Sequence, residues 1–186
     1  VTILSLAASS GGAIHVPHDP VDDIAVGPNF RTGVGHEVVL CANAASKVSR
    51  SFNNGLSWES LGGDDLQQFQ CIQVEYWPHL QTPRYFIGTT DGVWIYDPVA
   101  DTVVNQSNGL PPNDNFVVSM SAPASGLGTV VLLTNKGVVY GWDDTAGGWS
   151  QLFQTGLEDD YGQIKISPNY NPLGVHEREK QIVVAT

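Results

Sequence analysis

The chain has 186 residues, 41% of them apolar, with 20 glycines, 11 prolines and a net charge of −11 from 19 acidic and 8 basic side chains. This length suits one domain with a sizeable core, and the glycine and proline content suits short strands joined by many turns. The acidity argues against nucleic acid and anionic membrane surfaces as partners, and no apolar run is long enough to insert into a membrane.

In chain order, residues 3–8 and 13–18 read as two strands, either the second and third or the third and fourth of a unit. His15 and His18 are three apart, which puts them on opposite faces of a strand, so they do not share a metal and read as solvated strand-end histidines. His36, His79 and His176 fall in loops without an evident partner. Cys41 and Cys71 match no zinc or redox spacing. They read as buried free thiols, with a disulfide as the alternative in an exported protein.

From residue 24 a unit repeats. Ile24-Ala-Val-Gly-Pro-Asn-Phe30, Ile72-Gln-Val-Glu-Tyr-Trp-Pro78, Val117-Val-Ser-Met-Ser-Ala-Pro123 and Ile164-Lys-Ile-Ser-Pro-Asn-Tyr170 recur at a spacing of about 47 residues. Each opens a series of strands. The first alternates apolar with small or polar residues and stops at a proline. The second is continuously apolar (37–41, 84–88, 129–133 and 180–184), the pattern of a strand buried on both faces. A third follows a short polar turn (47–51, 92–96 and 137–141), and a more polar fourth closes the unit (57–61, 102–106 and 149–153). Helical periodicity is nearly absent.

The turn between third and fourth strands in the first full unit is Ser51-Phe-Asn-Asn-Gly-Leu-Ser-Trp58. Asn53, Asn54 and Gly55 tolerate the positive φ of a tight hairpin. Ser51 and Asn53 can hydrogen-bond the turn's own backbone, and Trp58 is large enough to cover it. Residues 97–101 and 143–148 are degenerate versions of this turn, and Trp149 stands where Trp58 does.

With Ser51, Asn53, Gly55 and Trp58 at this spacing, the octapeptide resembles the Asp box of BNR repeats, with Asn53 where the family usually has Asp. The Pro-Asn-Phe and Pro-Asn-Tyr strand ends, Gly92-Val-Trp-Ile-Tyr-Asp97 and Asn108-Gly-Leu-Pro111 are also similar to bacterial BNR and YVTN-like β-propellers. The resemblance covers nearly the whole chain. It implies an all-β propeller with four-stranded blades of about 47 residues. The units are 23–70, 71–115 and 116–162, with partial units at 1–22 and 163–186. Either the two partial units complete one blade and close a four-bladed ring, or the chain is a segment of a larger ring. The second is preferred, because the chain begins and ends inside strand patterns. In the family the box is structural and lies away from the active face.

A sialidase of this architecture needs three converging arginines, a tyrosine nucleophile with a glutamate and an aspartate acid/base. Arg31, Arg50, Arg84 and Arg178 do not occupy equivalent inner positions, and no acid pair stands out among the carboxylates. The leading expectation is therefore a non-catalytic binding or structural module of a secreted or cell-surface protein, with no cofactor and no metal. Its partners are other protein chains or the remainder of the same polypeptide, and carbohydrate is a further candidate. The alternative is a polysaccharide-active glycoside hydrolase of sialidase-like or xyloglucanase-like architecture. Asp23, Asp65, Asp114 and Asp160 lie in the linkers into each first strand, which a propeller places on one face. They form a candidate acidic rim for a cation or, better, a basic partner. Asn105-Gln-Ser107 is an N-glycosylation sequon.

Overall fold

The computed structural model describes residues 23–27, 38–42, 47–53, 57–61, 69–77, 82–123, 129–158, 162–168, 170 and 181–185. All regular structure among them is β. The first sheet contains β1 (Asp23–Val26), β2 (Val38–Ala42), β3 (Lys47–Ser51) and β4 (Glu59–Leu61). The second contains β5 (Phe69–Trp77), β6 (Thr82–Thr89), β7 (Gly92–Asp97) and β8 (Thr102–Asn105). The third contains β9 (Val117–Ser121), β10 (Val131–Thr134), β11 (Val138–Asp143) and β12 (Gly148–Gln154). A two-stranded sheet, β13 (Gln163–Ile166) with β14 (Ile182–Ala185), follows.

Each four-stranded sheet is a meander whose neighbours in sequence are neighbours in space, all antiparallel. The expected order of four strands per unit is what forms. β1, β5, β9 and β13 each end within two residues of a proline (Pro28, Pro78, Pro123 and Pro168). Proline cannot donate to the ladder, which ends the strand there.

The sheets stack face to face, and the strand period of two decides which residue faces which neighbour. Along β6, Tyr85 and Ile87 turn to the first sheet and, together with Tyr96 of β7, form one cluster with Ala25, Val48 and Leu61 of that sheet. Phe86, between them, turns to the third sheet and packs with Leu132, Tyr140, Trp142 and Trp149. Along β10 the alternation repeats. Leu132 faces the second sheet, while Val131 and Leu133 meet Val139 and Ile164 on the side of β13. Residues 85–89 and 131–134 are buried throughout, as a strand covered on both faces requires. Side chains such as Ile87 and Leu132 are fully buried, each contributing about 1.5–3 kcal/mol.

The first strands lie side by side in series, β1 beside β5, β5 beside β9 and β9 beside β13. The hydroxyl oxygens of Ser119 and Ser121 on β9 accept the N–H groups of Ile164 and Ile166 on β13, both at 3.3 Å. The two pairs keep one offset, so these inner strands run parallel. Parallel inner strands, each opening a meander that runs outward, make consecutive blades of a β-propeller.

Candidate functional site

The turn after β3 is built by its own side chains. Ser51 is buried, and its hydroxyl donates to Asn53 Oδ1 at 2.9 Å. Asn53 Oδ1 also accepts the Ser57 N–H at 2.9 Å, while its Nδ2 donates to Ser57 Oγ at 2.7 Å. In the two later turns an aspartate does this work. Asp97 Oδ1 accepts the N–H groups of Val99 and Ala100 at 2.9 and 3.1 Å, and Asp143 Oδ1 those of Thr145 and Ala146 at 2.8 and 3.0 Å. Both turns close on a left-handed residue, Asp101 (φ 52°) in one and Gly147 (φ 63°) in the other. Gly55 lies outside the described residues.

Trp58 and Trp149 are not equivalent in packing. Trp149 is buried, stacks edge-on against Trp142 with centroids 5.3 Å apart, and donates its Nε1–H to the Gln106 carbonyl at 2.8 Å. Trp58 is half-buried. The segment that follows β8 covers Trp149, which the local sequence around the two tryptophans does not reveal.

Arg50 is the residue that sequence reasoning missed. It is the last residue but one of β3, on the same face as the buried Val48, and its side chain is 11% exposed. Its Nε donates to Glu59 of β4 at 2.8 Å, and its Nη1 donates to the Tyr96 hydroxyl and to Asp101 Oδ1, both in the second blade. The guanidinium also lies over the rings of Phe52 and Tyr96, 5.0 and 5.3 Å from their centroids. The Asp101 hydrogen bond, more than any other contact, makes the guanidinium hold its proton more tightly than usual. The same bond holds the Asp101 carboxyl below the ordinary range. Arg50 is therefore committed to joining two blades. Arg84 lies 4.0 Å from Asp97, and Arg31 and Arg178 lie outside the described residues.

Of the four rim aspartates, Asp65 and Asp160 are outside the described residues. Asp23 opens β1, and its Oδ1 accepts the Ile24 N–H at 2.8 Å. Asp114 lies three residues before β9 and is half-buried rather than bare. Its Oδ2 accepts the Tyr140 hydroxyl at 2.8 Å, while its Oδ1 is buried without a hydrogen-bond partner among the described residues. Burial first, and then this hydrogen bond, push the Tyr140 hydroxyl up to about 12. Asn115 beside it donates to Asp91 at 3.0 Å, and the Asn135 N–H reaches the Phe116 carbonyl at 3.0 Å. The linker into β9 thus shares one end of the blades with the turns between second and third strands. Cys71 is a free thiol, and burial raises its pKa. The five histidines lie outside the described residues. Among the described residues, no three His, Cys, Asp or Glu side chains gather as a metal site, and no helix is long and apolar enough to cross a membrane.

The chain matches no protein-family model and no curated protein. Its structure is similar to solved β-propellers. The WD40 β-propeller domain of Doa1 superposes with a TM-score of 0.61 at 14% identity, over 84% of this chain and 47% of that one. An ancestral GH74 enzyme gives 0.59 at 17% identity, over 78% of this chain and 20% of the enzyme. An auxiliary nutrient binding protein from Bacteroides thetaiotaomicron VPI-5482 gives 0.58 at 12% identity, over 81% of this chain and 34% of that protein. The chain spans less than half the length of each. At these identities the likeness establishes the β-propeller fold and nothing finer.

Proposed function

We propose that the chain is a non-catalytic binding or structural β-propeller module of a secreted or cell-surface protein. The observation that carries this reading is the commitment of its polar side chains to the fold. Arg50 is spent on Glu59, Tyr96 and Asp101, and Asp97 and Asp143 on their own turns. The likeness to a nutrient binding protein supports a binding role. Partners are other protein chains or the remainder of the same polypeptide, with carbohydrate as a further class, and neither cofactor nor metal is required.

Within this reading Ser51, Asn53, Gly55 and Trp58 form a structural Asp box, supported by the hydrogen bonds of Ser51 and Asn53. The blade units are 23–70, 71–115 and 116–162, flanked by partial units at 1–22 and 163–186. The ring is larger than the chain. Ile24 and Val26, 53% and 40% exposed, lie on the face of β1 opposite Ala25, and Val183 of β14 is 62% exposed; such apolar surface fits a neighbouring blade. Asp23, Asp65, Asp114 and Asp160 form an acidic rim that favours a basic partner over calcium, which needs more oxygen ligands than scattered aspartates supply.

A second reading, a polysaccharide-active glycoside hydrolase of sialidase-like or xyloglucanase-like architecture, is favoured by the likeness to a GH74 enzyme. Assays against sialosides and β-glucans separate the two. The module reading expects no turnover; turnover that disappears on a single Asp or Glu substitution establishes the hydrolase.

A further inference from the structure

β12 is the outer strand of its sheet and is seven residues long, whereas the outer strands β4 and β8 have three and four. Its sequence, Gly-Trp-Ser-Gln-Leu-Phe-Gln, carries no charge and no proline. Sheet edges are ordinarily guarded by shortness, charge, proline or a bulge. β12 has only the bulge, at Leu152, which falls between the residues paired with Tyr140 and Val139. From Ser150 to Gln154 every residue is exposed, including Leu152 and Phe153.

The backbone is set to pair outward. Trp142 donates its N–H to the Val130 carbonyl on the β10 side, so its cross-strand partner Trp149 points its N–H away from the sheet, to the Asn108 carbonyl at 2.8 Å. The antiparallel alternation turns the N–H and C=O of Gln151 outward as well. The linker after β8 already reaches the Gly148 end of this edge. There Gly109 lies so close that an added Cβ would come within 2.1 Å of the Trp149 carbonyl oxygen. Beyond Trp149, no described strand pairs with the edge.

Charge selects the occupant. Asp143 and Asp144 are exposed in the turn before β12, and Glu158 is exposed beyond it. In a chain of net charge −11, pairing of two copies along this edge brings like charges together. We propose that the edge from Ser150 to Gln154 docks an extended segment of another polypeptide, which adds a fifth strand and carries basic residues at the end facing Asp143 and Asp144. This rests on the binding-module reading and gives it a class of partner.

The test uses synthetic peptides of about ten residues with alternating Thr and Val. One ends in two lysines, a second in two glutamates, and a third repeats the lysine sequence with the ladder amides N-methylated. Binding is measured by fluorescence anisotropy, and exchange of the Gln151 amide by NMR. The lysine peptide is expected to bind and to slow Gln151 exchange at least tenfold. The glutamate peptide and the N-methylated peptide should bind at least tenfold more weakly. Leu152→Lys, at an exposed position, should weaken the lysine peptide to a similar degree at unchanged melting temperature. Equal binding of the N-methylated peptide, protection elsewhere than Gln151, or no binding at all overturns the proposal. So does protection of Gln151 that rises with chain concentration in the absence of peptide, which marks self-pairing. If no peptide binds and no substrate turns over, the edge claim fails while the module reading stands; turnover removes the module reading whatever the peptides do.

Discussion

Arg50 on β3 of the first blade forms an ion pair with Asp101, the left-handed residue that closes the β7–β8 turn of the second. The equivalent place in the third blade holds Gly147, which adopts that conformation without a Cβ penalty. The second blade accepts an aspartate there, a residue that tolerates the left-handed region, and its carboxylate is used by the neighbouring blade. A turn residue thereby becomes an inter-blade contact.

Removing the guanidinium should loosen that junction. Arg50→Ala is expected to destabilise the fold by about 1.5–3 kcal/mol, because charged hydrogen bonds to Glu59 and Tyr96 and the ring packing are lost together. Urea denaturation measures it. A change within about 0.5 kcal/mol would place the network in the class of solvated surface pairs with no net effect.

The junction should also weaken in acid. The Asp101 carboxyl titrates below its ordinary value of 3.8 in the folded chain, so the folded state binds its proton less readily than the unfolded state. Its contribution is present above the ordinary value and is lost as pH falls through the lower, folded one. Melting temperatures of wild type and Asp101→Asn, followed downward from pH 6, should converge below about pH 4. A constant gap across that range would show that the ionised carboxylate is not what matters.

The fold was legible in the sequence because strand periodicity is local. The continuous apolar run over residues 84–88 marks β6, and the structure buries Tyr85, Phe86 and Ile87 completely. The prolines that close the first strands are equally visible. Long-range side-chain partners were not. Arg50 finds Tyr96 and Asp101 46 and 51 residues away, a relation set by how one blade packs on the next. Asp114 was visible as a linker aspartate, but its partner Tyr140 lies 26 residues on, in another strand. Trp58 and Trp149 look alike in sequence and differ in burial, and the stretch after β8 lies over Trp149.

That difference gives a comparison of two substitutions. Trp149→Ala should cost about 3–5 kcal/mol, the range for a buried aromatic. Trp58→Ala, at a half-buried position, should cost about 1–2 kcal/mol. Paired denaturation curves measure both. Equal losses would mean that the turn after β3 is as much a part of the core as the Trp142–Trp149 pair.

Gly88 tests the contact between second and third blades. A Cβ there would lie 2.7 Å from Val117 Cγ1 and 2.8 Å from Cys71 Sγ. Gly88→Ala should therefore cost about 1–3 kcal/mol from overpacking. Adding Cys71→Ala removes one of the two clashing atoms, so the double variant should lose less than the two single losses combined. Strict additivity in denaturation would show that the two sites do not touch.

At the Tyr140–Asp114 pair the two roles open to a polar side chain, serving the fold or serving a reaction, separate most sharply. The measurement is the melting temperature together with turnover of sialosides and β-glucans, for wild type, Tyr140→Phe and Asp114→Asn. With the Tyr140 hydroxyl raised to about 12, the folded state keeps a proton that the unfolded state releases near pH 10, so wild-type stability should fall as pH rises from about 10 to 12. Tyr140→Phe should lose this component of the alkaline fall. Both variants should melt below wild type at neutral pH, and none of the three proteins should turn over substrate. Turnover by wild type that vanishes in either variant at unchanged melting temperature would contradict the account.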